Sequence, residues 1–259
     1  MFYFERLRVR NGLMWLAITL VVMLGIIFLV NLLSPHGHVN VSVGDSAASS
    51  PTSSPTTFVE LLGAASLLVG GIMATIWGNA LARENDGHLE VAWTKPVSRT
   101  TYATSVMLVD GVGLLLSVVL GFFALVLILI DVRAPITFSV APSSLMDIAR
   151  FLLFPLAWYA LIVALSARLR GGGVVQGLIW PIALGLTGIA AAPLPPVWHT
   201  IAMIISLLNP MTYLQYHQND FSLMTSTIMA PALLSDIALA VFVIGGWMLA
   251  TTQWRRMEA

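Results

Sequence analysis

Residues 111–130 read GVGLLLSVVLGFFALVLILI, twenty consecutive positions without Asp, Glu, Lys or Arg. A helix of that length is about 30 Å long, the thickness of the hydrocarbon core of a bilayer. Comparable runs recur on both sides of it, and six spans can be drawn at 12–33, 58–82, 102–130, 147–169, 174–192 and 231–252. The runs are apolar all round and do not alternate as barrel strands do. Backbone groups in lipid must be satisfied within the segment, so the expected fold is an all-α integral membrane protein.

Composition agrees. The chain of 259 residues is 58% hydrophobic and 9% charged, with a mean hydropathy of +0.90. A soluble domain carries about a quarter charged residues, so this chain cannot coat a water-facing surface. Its net charge of zero excludes a basic nucleic-acid footprint. With no cysteine there is no disulfide, thiolate nucleophile or Cys-ligated metal. The run at 12–33 exceeds the roughly 7–15 residues of a signal-peptide core, so it reads as a retained first span. No internal repeat is visible, and residues 1–259 read as one transmembrane domain.

Basic residues fix the expected orientation, because they collect in cytoplasmic loops. Arg6, Arg8, Arg10, Arg83, Lys95, Arg99, Arg168, Arg170, Arg255 and Arg256 fall on one side, and only Arg133 and Arg150 on the other. Both termini are therefore expected in the cytoplasm, in a bacterial plasma (inner) membrane. The Ser/Pro/Thr-rich stretch 34–57 cannot bury a core and reads as a flexible outer loop. Within the outer segment 195–230, VWHTIAMIISLLNPMTYL (197–214) is apolar but broken by Asn209-Pro210. A crossing there would carry Arg255 and Arg256 outside, so the segment reads as a re-entrant or interfacial element before the last span.

Signatures of catalysis are missing: there is no HExxH, GxSxG or DxDxDG. Gly171-Gly172-Gly173 lacks the Lys-Ser/Thr of a P-loop and reads as a turn. His36, His38, His199 and His217 lie in outer segments without a third ligand, so neither a metal nor a cofactor is expected in this chain. Asp110 is more informative, because a carboxylate inside a span costs roughly 2.5–3.5 kcal/mol on insertion scales. It reads either as a pathway-lining group or as an interior partner for a polar side chain such as Asn79 or Gln176. Ser66, Gly70, Ala74, Gly78 and Ala82 recur every four residues and form one small-residue ridge. Such a ridge lets backbones approach, within one chain or across a homodimer seam.

One charged island, RENDGHLEVAWTKPVSR at 83–99, interrupts the apolar pattern within the loop 83–101. Asp86 can cap a short helix whose Leu89, Ala92 and Trp93 share one face. On those grounds it is either a docking helix or a simple link between spans. From Glu84 to Arg99 the stretch resembles the intracellular loop of ABC-2-type (type-2 exporter) permeases, which reads approximately E-x-x-[SG]-G-T-L-E-x-L-L-x-x-P-[VI]-S-R. Pro96-Val97-Ser98-Arg99 is the most specific part of the match, and SLLNPMTYL (206–214) is similar to the segment before the last span of such permeases. His88 stands in place of the usual Thr, Trp93 in place of an aliphatic residue, and a Lys common early in the third span is absent.

The resemblance implies a permease that works with a separate ATP-binding cassette ATPase. ATP and Mg would be held by that partner, and a second permease, identical or related, would complete the transporter among membrane lipids. Glu84, Gly87, Leu89, Glu90, Trp93, Pro96 and Arg99 would form the cytoplasmic coupling helix and its flanks, and residues 2–10 an N-terminal interfacial helix. The chain would be a transport subunit and not itself an enzyme. An amphipathic or lipid-like cargo suits so apolar a bundle. The competing expectation is a secondary transporter, or an assembly subunit of a membrane complex, with no ATPase partner.

Overall fold

The computed structural model describes residues 2–33, 56–81, 98–132, 136–138, 144–167, 173–191, 195–214 and 232–256. Eight α-helices are named here: α1 Phe2–Leu33, α2 Phe58–Ala65, α3 Gly71–Trp77, α4 Arg99–Asp131, α5 Ser144–Ser166, α6 Gly173–Ala191, α7 Pro196–Ser206 and α8 Ala232–Arg256. Five stretches are long and apolar enough to cross a membrane: Arg6–Val30, Phe58–Trp77, Thr100–Asp131, Ser144–Ser166 and Leu233–Trp254. That is the pattern of a multi-pass membrane protein.

Several ends follow from local chemistry. Thr57 caps α2 with a reciprocal box: its hydroxyl accepts from Glu60 N (3.3 Å), and Glu60 Oε2 accepts from Thr57 N (2.8 Å). Ser98 caps α4 by accepting from Thr101 N at 3.2 Å. Pro196 opens α7, where its missing N–H costs nothing. At the far end of α7, Asn209 Oδ1 accepts from Met211 N (3.1 Å) and starts a 3-10 turn, Pro210–Tyr213. Its Nδ2 donates to Ala183 O on α6 at 3.0 Å, and Thr212 Oγ1 donates to Ser206 O at 2.7 Å. The 11 residues of α7 are about 16 Å long, too short to cross a bilayer.

The structure corrects three expectations. Residues 2–10 are not a separate interfacial helix, because α1 runs unbroken for 32 residues. At 100° per residue α1 turns Arg6 and Arg10 to the exterior and Arg8 toward α4. The span at 58–82 is not one regular helix: Ser66–Gly70 forms a π-turn between α2 and α3. The end of the outer loop 34–57 is structured, since Thr56–Thr57 (β1) pairs in parallel with Ile136–Thr137 (β2). Residues 34–55, and 83–97 of the coupling loop, lie outside the described residues.

Helix directions can be read from the contacts. Arg150 reaches Asp236, and a Cβ on Gly246 would meet Ala160 O at 2.7 Å. Both contacts carry the same sequence offset, so α5 and α8 run parallel. Ser66 meets Phe151, Gly70 meets Pro155 and Gly78 meets Ile162, so α2–α3 also runs parallel to α5. Gly70 lies against Val118 and Gly113 against Trp77, so α3 and α4 run antiparallel. Arg8 and Val9 meet Asp110 and Gly113, so α1 runs with α4. The start of α1, the end of α8 and both flanks of segment 82–97 therefore share one face of the bundle.

Helix α5 is the centre, with 61% of its span buried. Its Phe154, Trp158 and Ile162 join Trp77, Leu81, Met107, Leu114, Leu239 and Trp254 in the main core. The adjacent glycines Gly245 and Gly246 provide a test of the α5–α8 seam. Gly246 abuts α5 backbone, whereas a Cβ on Gly245 meets nothing within 4 Å. Gly246→Ala is expected to destabilise by about 1–3 kcal/mol through overpacking. Gly245→Ala is expected to be neutral or to stabilise by up to about 1 kcal/mol through helix propensity. Thermal unfolding of the two variants in detergent measures the difference.

Candidate functional site

The most deeply buried charge predicted from sequence, Asp110, sits on α4 with no exposed surface. Arg8 of α1 donates to its Oδ1, and the Tyr159 hydroxyl of α5 donates to its Oδ2 at 2.7 Å. One carboxylate thus joins three helices. Arg8 keeps a third of its side-chain surface exposed, so the pair reaches the edge of the bundle. Val9 and Trp77 close over it at Gly113, where a Cβ would stand 2.5 Å and 2.7 Å from their side chains.

Asn79 and Gln176 are brought to each other. Asn79 Nδ2 donates to Gln176 Oε1 at 3.3 Å. Gln176 Nε2 donates to the carbonyls of Thr75 (2.7 Å) and Ile76 (3.0 Å), where the helix opens into a turn at Gly78 and Asn79. A side chain from α6 thereby serves backbone acceptors at the loosened end of α3. Just above, Thr75 Oγ1 accepts from Trp158 Nε1 (3.0 Å) and Trp180 Nε1 (2.9 Å), uniting α3, α5 and α6. Asn79 Oδ1 and Trp254 Nε1 are buried without a hydrogen-bond partner among the described residues.

A second polar group lies at the opposite end of the bundle. Arg150, 1% exposed, donates through Nε to Asp236 of α8 (3.2 Å) and through NH1 to Asp147 one turn away (3.1 Å). These ionic ties define two polar layers. Asp110 and Asp131 are 21 residues apart on α4, Glu60 and Asn79 are 19 apart, and Asp236 and Arg255 are 19 apart. At 1.5 Å per residue each interval is about 28–32 Å, close to the hydrocarbon thickness. Asp110 thus lies toward the end of the bundle that holds the chain termini. Beyond it, α4 projects its first turns, where Thr100, Thr101, Thr104 and Ser105 line an open groove with Leu108. Outside the spans, burial pushes the Tyr213 phenol above its usual pKa, and its hydroxyl donates to Leu207 O at 2.9 Å.

The small-residue ridge faces α5. Ser66 Oγ donates to Phe151 O, Gly70 lies against Pro155, and Gly78 lies against Ile162, with Ala74 fully buried. Ala82, Glu84, Gly87, Leu89, Glu90, Trp93 and Pro96 lie outside the described residues. Arg99 is described only as the first residue of α4. Arg8, Arg150 and Tyr159 were missed as partners, because charge along the sequence gave Arg8 and Arg150 topological roles only. Tyr159 offered no signal beyond a polar tip within an apolar run.

Removing Arg8 strands a buried carboxylate. Arg8→Ala is expected to cost on the order of 3 kcal/mol, and adding Asp110→Asn should recover most of that loss. Thermal unfolding of the single and double variants in detergent checks the order. A double variant no more stable than Arg8→Ala would mean that the ionic pairing is not the source of the cost.

No family model matches the chain, and no curated protein matches it.

Proposed function

We propose that the chain is the membrane-spanning permease subunit of an ABC exporter, driven by a separate ATP-binding cassette ATPase. The observation that carries this reading is the likeness of residues 84–99 to the coupling loop of ABC-2-type permeases. Two structural facts support it. The loop is flanked by the Asn79 turn and the Ser98 cap, both toward the same end of the bundle. That face also holds the start of α1 and the end of α8, and ten of the chain's twelve Lys and Arg residues belong to it by sequence. By the positive-inside rule it is the cytoplasmic face, where an ATPase would dock.

The six-span layout belongs to the same proposal. Helices α5 and α8 run parallel and each is long enough to cross, and on this reading the chain between them returns through the bilayer. Helix α6, with 19 residues and a length of about 28 Å, is the described segment able to do so. Helix α7 and the turn after it then form the interfacial element on the far side. Two copies, or this chain with a related one, would enclose the pathway. ATP-driven closure of the ATPase pair would move the coupling helix and shift the spans between inward- and outward-facing populations.

The test is co-purification with a candidate ATPase encoded beside this chain. Wild-type protein should retain the ATPase and stimulate its hydrolysis in membranes, and Glu90→Arg or Trp93→Ala should abolish both. If both variants behave as wild type, the docking assignment is wrong. Ion-coupled uptake by the purified chain alone in liposomes would instead establish a secondary transporter.

A further inference from the structure

Proline lacks the N–H that would serve the carbonyl four residues back, and inside a helix it is a frequent site of bending. Pro155 lies inside α5, and the carbonyl it cannot serve is that of Phe151. The hydroxyl of Ser66 donates to that carbonyl. Ser66 is fully buried and is the first residue of the π-turn Ser66–Gly70. The last residue of the same turn, Gly70, presses on the proline: a Cβ there would lie 3.0 Å from Pro155 Cβ and 2.8 Å from Val118 Cγ2. Two neighbouring parallel helices therefore carry their irregular turns side by side, in contact at both ends of the π-turn. Helix α4 passes the same level without interruption.

We propose that the π-turn and Pro155 form a single hinge shared by α2–α3 and α5. Each irregular turn lacks part of the regular i→i+4 ladder, so each helix bends there more readily than elsewhere. Because the turns coincide in height and touch, the two helices bend about one axis without opening a gap between Gly70 and Pro155. Below the hinge, Thr75, Trp158 and Trp180 hold α3, α5 and α6 as one moving body. Ser66 is the catch. While its hydroxyl is on Phe151 O the described conformation is held, and when it turns to a carbonyl of its own helix the bend is free. The inference does not depend on the ATPase assignment.

The absence of native cysteine makes the test direct. Nitroxide labels placed by Leu145→Cys and Leu165→Cys sit on exposed positions at the two ends of α5. They are about 30 Å apart along the axis, a span suited to pulsed electron–electron distance measurement. In full-length protein in lipid nanodiscs, Ser66→Ala should broaden the distance distribution across Pro155. Pro155→Ala, which restores the missing N–H, should narrow it and move its mean to longer distance. In the Pro155→Ala background, Ser66→Ala should have no further effect on the distribution. The proposal is overturned if Pro155→Ala leaves the distribution as in the parent, a result readable even if Ser66→Ala fails to fold. It is equally overturned if Ser66→Ala broadens the distribution to the same extent with and without Pro155.

Discussion

Hydrocarbon offers no partner to a polar group, and the architecture of this protein follows from where its polar groups find partners inside the chain. Asp110 is the sharpest case. A carboxylate with no exposed surface is tolerable only when paired and hydrogen-bonded, and Arg8 and Tyr159 supply that from two other helices. Helix α1 otherwise meets the bundle mainly along α4, so this contact fixes its height and rotation. The same rule governs the backbone. The carbonyl orphaned by Pro155 is served by Ser66, those at the opened end of α3 by Gln176, and the break after α7 by Asn209.

With polar groups paired, close packing sets the rest. Lipid gives apolar side chains no reason to prefer a protein neighbour, so helix association relies on contact area and close backbone approach. Gly70, Gly78, Gly113 and Gly246 each stand where a methyl group would collide with the neighbouring helix. Gly25, Gly245 and the glycines of α6 stand in open space. Glycine alone is thus no marker of a seam, and only the ridge at spacing four, which turns one face to α5, could be recognised beforehand.

Five of the six expected spans coincide with stretches long and apolar enough to cross, because hydropathy is a local property that survives any arrangement of helices. The break at Asn209-Pro210 was legible for the same reason, since turn chemistry acts within a few residues. Partner choice was not. Arg8 and Asp110 are 102 residues apart, and nothing near either residue selects the other. Asn79 and Gln176, which one of the two readings of Asp110 offered as its partners, bond to each other. The π-turn was illegible too, because Ser66–Gly70 carries no local signature, and its counterpart Pro155 lies in a different span.

Helix α4 runs 33 residues with no proline and no interruption, and Asp110 clamps it about a third of the way along. From the clamp to Ser98 is about 18 Å, and from the clamp to Asp131 about 32 Å. A rigid rod held at that point is a lever with unequal arms. Sideways motion at Ser98 reappears at Asp131 in the opposite direction and nearly doubled. The Arg8–Asp110 ion pair is the fulcrum. Small displacements at Ser98 would therefore reach the other end of α4 amplified, carried by one helix and requiring no change within it.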